Sequence, residues 1–201
     1  MKGLVLDYGG VLTTNVFASF RDFCVREGLE PDAVKELFRA NPEARALVRA
    51  VETGEIPEAE FSERFGGLLG IEGREGLIDR LFAGMGPDEA MLAAVRGARA
   101  QGISTGLISN SMGEGRYDRG AFPDLFDGVV ISGEVGMHKP QPEIYRLGCE
   151  RIGLPPEECV FVDDLRENCE GAEAVGMTAI LHRGAERTVP ELERLLGVKL
   201  G

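Results

Sequence analysis

Short apolar runs and longer amphipathic stretches alternate along most of this chain. The first run, Leu4-Val5-Leu6, has strong β-propensity and stops abruptly at Asp7. Four later runs are of the same kind, and helical periodicities separate the last of them. Strands that alternate with helices predict a parallel sheet covered on both faces. The later predicted strands are residues 103–109, 128–132, 159–163 and 178–182.

The stretch between the first two strands has helical spacing and no strand signal. Pro42 opens one helix there and Gly54 follows it, as prolines and glycines often do at helix starts and ends. Four or five helices are expected between residues 14 and 86. We therefore predict an α/β core domain, residues 1–13 and 87–201, with a helical subdomain inserted at residues 14–86. Later helices are predicted at residues 142–152 and 166–175 and near 190–196.

Composition and charge restrict the classes of function. The 201 residues are 43% hydrophobic, enough for a full core, and the formal net charge is −12. Binding of nucleic acid needs a basic surface, so this balance argues against it. The longest apolar runs are too short to cross a bilayer, and no secretory pattern opens the chain. We expect a cytoplasmic protein without a membrane partner.

The cysteines do not have the spacing of a metal site. The sequence has no C-x-x-C pair, and its only histidines are His138 and His182. This pattern argues against zinc and predicts reduced, mostly buried thiols. The four cysteines are Cys24, Cys149, Cys159 and Cys169.

Polar residues follow several predicted strands at the point where each strand ends. In an open parallel α/β sheet, functional groups gather outside the carboxyl ends of the strands. We therefore expect these side chains to share one site. They are Asp7, Ser109-Asn110, Lys139 and Asp163-Asp164.

These residue types suit phosphoryl transfer. Asp7 could attack phosphorus and form an acyl phosphate, which divides hydrolysis into two easier steps. Asp7 with Asp163 or Asp164 would offer Mg²⁺ the hard oxygen ligands it prefers. Lys139 and the Ser109 hydroxyl would bind the oxygens of the transferring group. The lysine would also keep the crowded carboxylates ionised.

In these motifs the chain resembles the haloacid dehalogenase (HAD) superfamily of aspartate-nucleophile hydrolases. The resemblance implies a Rossmann-like three-layer sandwich with an inserted helical cap of the family's first type. Residues 52–56, together with Asn168 near the last motif, resemble the branch with sugar-phosphate phosphatases and the phosphatase-like domain of soluble epoxide hydrolases. The motifs are Leu4-Val5-Leu6-Asp7, Leu107-Ile108-Ser109-Asn110, Lys139-Pro140 with Pro142-Glu143-Ile144-Tyr145, and Phe161-Val162-Asp163-Asp164.

The resemblance also implies a role for each matching residue. Asp7 would be the nucleophile and a Mg²⁺ ligand, and the Gly9 carbonyl would be a second ligand. Asp164 would bind the metal directly, and Asp163 directly or through water. Ser109, Asn110 and Lys139 would hold the phosphoryl group of a small phosphorylated metabolite. The protein would act as a monomer or homodimer.

Gly9 departs from the family pattern. Phosphatases of the superfamily usually carry a second aspartate there, which protonates the leaving group and then activates water. Loss of a general acid–base group typically costs about 10²–10⁴-fold in rate. Three functions stay open: a Mg²⁺-dependent phosphatase of phosphomonoesters or sugar phosphates, a weakly active or non-catalytic binder of a phosphorylated ligand or partner, and a metal-free 2-haloacid dehalogenase. His138 is a less favoured replacement base.

Overall fold

A parallel sheet of five strands forms the centre of the computed structural model, which describes residues 1–112 and 117–200. The strand order is β3-β2-β1-β4-β5, so the first strand of the chain lies in the middle. The predicted α/β fold is confirmed. The strands are β1 (Gly3–Leu6), β2 (Ser104–Ser109), β3 (Gly128–Ile131), β4 (Cys159–Asp163) and β5 (Thr178–Leu181).

Helices cover both faces of the sheet. Successive side chains of a strand point to opposite faces, and in β1 Leu4 and Leu6 join one apolar cluster while Val5 joins the other. The three residues are fully buried. This double burial explains why β1 is apolar throughout rather than alternating. The helices outside the segment between β1 and β2 are α6 (Glu89–Ala100), α7 (Phe122–Leu125), α8 (Ser132–Val135), α9 (Pro142–Arg151), α10 (Arg166–Ala174) and α11 (Ala185–Leu196).

Five helices between β1 and α6 pack around an apolar cluster of their own. Phe23, Phe61 and Phe65 are fully buried in it, and the latter two rings stack with their centroids 4.9 Å apart. A bridge between Thr13 and Pro87 pairs the chain where it leaves and re-enters the core. The exact division into a core and an inserted subdomain stays a prediction. The helices are α1 (Val16–Arg26), α2 (Ala33–Ala40), α3 (Pro42–Glu52), α4 (Glu58–Leu69) and α5 (Leu77–Phe82).

Most predicted strands and helices agree with the structure to within one residue at each end, and two differences are informative. The strand predicted at residues 128–132 ends at Ile131, and Ser132 begins the short helix α8 instead of ending the strand. The last helix begins at Ala185, with Pro190 inside it rather than at its start. Thr188 explains the earlier start, because its buried Oγ1 lies 2.9 Å from Nδ1 of His182 and fixes the first turn on the core.

Across the described ranges, no helix has both the length and the apolar character that crossing a bilayer demands. The four cysteines are buried and free, as predicted.

Candidate active site

The carboxyl ends of three neighbouring strands bring the predicted residues together. Asp7 directly follows β1, and its amide extends the ladder by donating to the Val162 carbonyl at 2.9 Å. Ser109 is the last residue of β2, and Asp163 is the last of β4. Because β2, β1 and β4 are adjacent and parallel, these three side chains meet at one edge of the sheet.

Lys139 is the cation of this edge. Its Nζ lies 2.7 Å from Oδ1 of Asp7 and 2.7 Å from Oδ2 of Asp163, and its side chain is 0% exposed. Burial alone would disfavour the charged form, yet Asp163 and Asp7 together raise the pKa of Lys139. The ammonium group is therefore held charged between two carboxylates.

Asp163 is fully engaged by its neighbours. Oδ1 accepts hydrogen bonds from the Leu165 amide at 2.8 Å and from Asn168 Nδ2 at 3.0 Å. Oδ2 accepts from Lys139, and Asn168 Nδ2 lies 3.1 Å from it. These contacts fix the buried carboxylate in one orientation. The sequence indicated Asn168 only through the family resemblance near the last motif and did not predict its contact with Asp163.

Three carboxylates crowd together beside the lysine. Oxygens of Asp7, Asp163 and Asp164 all lie within 4.8 Å of one another. Burial raises the pKa of Asp7 to about 7, with Lys139 opposing and the two other aspartates adding to the shift. Burial, then Asp163, raises the pKa of Asp164 to about 6. Concentrated negative charge of this kind favours a bound cation.

The donor set fits a hard divalent cation. Carboxylate oxygens are the ligands that Mg²⁺ and Ca²⁺ select, whereas zinc prefers nitrogen and sulfur donors. Gly10 makes room for Asp164: its φ is +75°, and a Cβ there would lie 2.5 Å from Asp164 Oδ2. The turn after β1 is therefore shaped to admit this carboxylate, and Asp7 begins the same turn.

Tyr117 supports Ser109 and was missed by sequence reasoning. Its hydroxyl donates to Ser109 Oγ at 2.9 Å, and its ring packs edge-on against Tyr8 with the centroids 4.8 Å apart. Ser109 Oγ therefore accepts from Tyr117 and keeps its own proton to donate. No periodicity or motif marks a tyrosine for this task.

Asn110 holds the backbone of Lys139. Its Oδ1 accepts from the Lys139 amide at 2.8 Å, and its Nδ2 donates to the Lys139 carbonyl at 3.2 Å. Nδ2 also donates to Oε2 of Glu52 at 3.3 Å. The side chain of Asn110 thus positions the lysine, while its direct contact with a phosphoryl group stays a prediction.

Glu52, the last residue of α3, reaches this site from the opposite side, although sequence reasoning did not place it there. Its backbone carbonyl accepts from Ser132 Oγ at 2.5 Å. Burial raises the pKa of its carboxyl group to about 8, with Lys139 opposing and Asp7 adding to the shift. A glutamate at the end of an amphipathic helix gives no sequence signal of which surface it meets.

A cavity of about 430 Å³ separates the sheet edge from the inserted helices. Asp7, Gly9, Lys139 and Asp164 line its sheet side, together with His138. Nδ1 of His138 lies 2.8 Å from the Lys139 carbonyl, which can only accept, so this nitrogen carries a proton. The helical side is largely apolar, with Val16, Phe17, Phe20, Phe38 and Val48, and also contains Arg45 and Arg49.

Fold and site together define an α/β protein with an aspartate at the end of its central strand. A model of haloacid dehalogenase-like hydrolases matches residues 1–176. The chain therefore belongs to the haloacid dehalogenase-like hydrolase family, as the four motifs predicted.

Curated relatives match to different extents. Mouse acyl-CoA dehydrogenase family member 10 is 27% identical across 99% of this chain. The pig bifunctional epoxide hydrolase 2 is 33% identical across 55% of the chain. The chain spans only 19% and 21% of the length of these two relatives. A sesquiterpene phosphatase of Aspergillus oryzae is 30% identical, with 73% of this chain and 77% of that protein aligned.

Solved structures share the fold. A HAD family enzyme of Bacteroides thetaiotaomicron superimposes with a TM-score of 0.71 at 21% identity, covering 96% of this chain and 98% of that one. The same enzyme has been solved with magnesium and inorganic phosphate. A HAD phosphatase of Thermococcus onnurineus has a TM-score of 0.59 at 24% identity, with both chains covered completely.

Replacing Lys139 with methionine should destabilise the protein more at pH 8 than at pH 5. Breaking a buried ion pair costs about 3–5 kcal/mol. Without the cation, the pKa values of the buried carboxyl groups rise further above those of the unfolded chain. The folded variant then binds more protons than its unfolded state between pH 4 and 8, so the free energy of unfolding of the variant falls as the pH rises. Thermal melts at both pH values measure this.

The matched control is Lys199→Met, which removes a lysine whose side chain is 88% exposed. It should change the melting temperature little at either pH. Equal losses for Lys139→Met at pH 5 and pH 8 would show that charge pairing is not what the lysine contributes.

Proposed function

We propose that this protein is a Mg²⁺-dependent phosphatase that hydrolyses a small phosphomonoester through an aspartyl-phosphate intermediate. The observation that carries the proposal is the arrangement around Asp7. A carboxylate at the end of the central strand lies 2.7 Å from a buried ammonium group and within 4.8 Å of two further carboxylates. The phosphatases among the relatives support the same activity.

In the first step Asp7 attacks phosphorus while Lys139 and Ser109 hold the equatorial oxygens. Lys139 is pinned by Asn110, and Ser109 by Tyr117, so both donors are oriented before the substrate arrives. Asp7, Asp164, the Gly9 carbonyl and, directly or through water, Asp163 would hold Mg²⁺. The bound ion would neutralise charge on the phosphoryl group and orient it for attack.

In the second step water attacks the phosphorus of the aspartyl phosphate and frees Asp7. The usual aspartate for proton transfer is Gly9 here, which has no side chain. Substrates with good leaving groups, such as acyl phosphates or sugar 1-phosphates, depend least on that proton. Asp7, Lys139 and Ser109, which attack and bind the phosphoryl group, do not depend on a side chain at position 9.

The cavity supports a substrate with apolar surface as well as a phosphate. Aromatic side chains of Phe17, Phe20 and Phe38 line its helical side, above the carboxylates. Inserted helices that close over the strand ends would act as the cap that selects the substrate. A substrate with an apolar group, as the name of the related sesquiterpene phosphatase indicates for that protein, would fit this apolar wall. A sugar phosphate is also a candidate, because the polar side chain of Arg49 lines the same cavity.

Gly9 favours one other candidate, a weakly active or non-catalytic member that binds a phosphorylated ligand or partner. Such a protein would keep Lys139 and Ser109 as anion-binding groups and lose turnover. A metal-free dehalogenase is the weaker alternative, since it gains nothing from three crowded carboxylates. The free, buried cysteines suit the cytoplasmic location we propose, and we keep a monomer or homodimer as the expected state.

Asp7→Asn should abolish phosphate release. The amide cannot attack phosphorus, so turnover should fall to the background rate on every substrate. The measurement is phosphate release with Mg²⁺ from a panel of sugar phosphates, acyl phosphates and prenyl or alkyl phosphates. Asp124→Asn, a change of the same type on an exposed residue of α7, is the control and should keep the wild-type rate.

Each outcome has a clear meaning. An unchanged rate in Asp7→Asn would disprove the nucleophile. Thermal stabilisation by phosphorylated compounds without any turnover would favour the binding protein. Halide release from a 2-haloacid in the presence of a chelator would instead establish a dehalogenase.

Asp164→Asn should weaken the stabilisation that Mg²⁺ confers. At 100 times its dissociation constant a ligand adds about 2.7 kcal/mol, which corresponds to roughly 5–10 °C for a chain of this size. Wild type and Asp124→Asn should show this increase in melting temperature, and Asp164→Asn a much smaller one. The same increase in all three proteins would place the ion elsewhere.

A further inference from the structure

We propose that Glu52 is the general acid and base of this active site, the role for which Gly9 has no side chain. The inference deepens the phosphatase function proposed above and rests on it. The carboxyl group comes from the inserted helices, far in sequence from every motif residue at the sheet edge.

Two contacts fix Glu52 at the core. Its backbone carbonyl accepts from Ser132 Oγ at 2.5 Å, and its Oε2 accepts from Asn110 Nδ2 at 3.3 Å. Asn110 also holds both backbone polar groups of Lys139. Hydrogen bonds through Asn110 therefore connect the carboxyl group of Glu52 to the loop that carries Lys139.

Glu52 and Asp7 line the same cavity from different parts of the fold. Asp7 lines the cavity from the sheet, and Glu52 lines it from the end of α3. In phosphoryl transfer the attacking and leaving oxygens are roughly in line. Attack by Asp7 therefore directs the leaving oxygen away from the sheet, toward the helices that carry Glu52.

The surroundings of Glu52 keep a proton on it near neutral pH. Burial raises its pKa to about 8. Lys139 at the sheet edge and Arg49 on the same helix oppose the shift, while Asp7 and Glu167 add to it. A general acid works best when its pKa lies near the working pH.

The two steps balance with water as the only co-reactant. Asp7 forms a bond to phosphorus, the bond from phosphorus to the ester oxygen breaks, and that oxygen takes the proton of the Glu52 carboxyl group. Water then attacks phosphorus and gives a proton to the Glu52 carboxylate, while the bond from phosphorus to Asp7 breaks. Both residues end as they began, and alcohol and phosphate leave.

The test compares Glu52→Gln with wild type on a poor and a good leaving group. For an alkyl phosphate, kcat/KM should fall about 10²–10⁴-fold, because an alkoxide must leave without its proton. For 4-nitrophenyl phosphate, kcat/KM should change little, and a burst of nitrophenol should precede slow turnover, since water activation is also impaired. Glu55→Gln, three residues away and exposed, should match wild type on both.

Other outcomes would overturn the proposal. Equal losses of kcat/KM on both substrates would make Glu52 a structural residue of the interface. Loss of the Mg²⁺-dependent thermal shift in Glu52→Gln would make it a metal ligand. Unchanged rates in Glu52→Gln beside an inactive Asp7→Asn would exclude Glu52 while leaving the phosphatase function intact.

A second variant guards against an effect on folding. Gly9→Asp places a carboxyl group in the first motif, and among the described residues a Cβ at Gly9 would meet only Val16 Cγ2, at 3.4 Å. Added to Glu52→Gln, it should recover at least tenfold of the lost kcat/KM on the alkyl phosphate. Failure to recover any activity in a double variant that melts like wild type would count against proton transfer as the lost function.

Discussion

The site depends on the ion pairs that the buried ammonium group of Lys139 forms with two aspartates. The ammonium group contacts Asp7 and Asp163 at 2.7 Å each, and no solvent reaches it. Without this cation, carboxylates at the ends of two adjacent strands would repel one another in a buried place. With all of them ionised, three carboxylates and one ammonium group carry two net negative charges. One divalent cation would balance that charge, so the lysine makes the cluster tolerable and leaves it ready for a metal.

The position of the cation is in turn set by a polar network that crosses from the core to the inserted helices. Asn110 binds the backbone of Lys139 on one side and the carboxyl group of Glu52 on the other. Ser132 fixes the backbone of Glu52. A shift of the helical segment would therefore move groups that orient the lysine. This coupling gives the inserted helices a route to influence chemistry as well as the choice of substrate.

The core of the site could be predicted from the sequence because parallel strands place their carboxyl ends at one edge. Asp7, Ser109 and Asp163 follow from that rule alone, whatever the packing above them. Glu52 and Tyr117 do not, since one reaches the site by docking of α3 and the other by a ring contact. The early start of α11 escaped prediction for the same reason: the contact between Thr188 and His182 is tertiary.

Gly9 and Gly10 follow Tyr8, and different physical constraints apply to the two glycines. Gly10 needs its positive φ and lies where Asp164 packs, so the backbone and the carboxylate both demand glycine. Gly9 has neither constraint, since its φ is not positive and, within residues 1–112 and 117–200, a Cβ there would meet only one methyl group. The backbone of the described residues does not exclude the aspartate that the family resemblance implies at this position. A proton that residue 9 cannot supply must come from another group, and Glu52 lines the same cavity with a carboxyl group whose pKa burial raises to about 8.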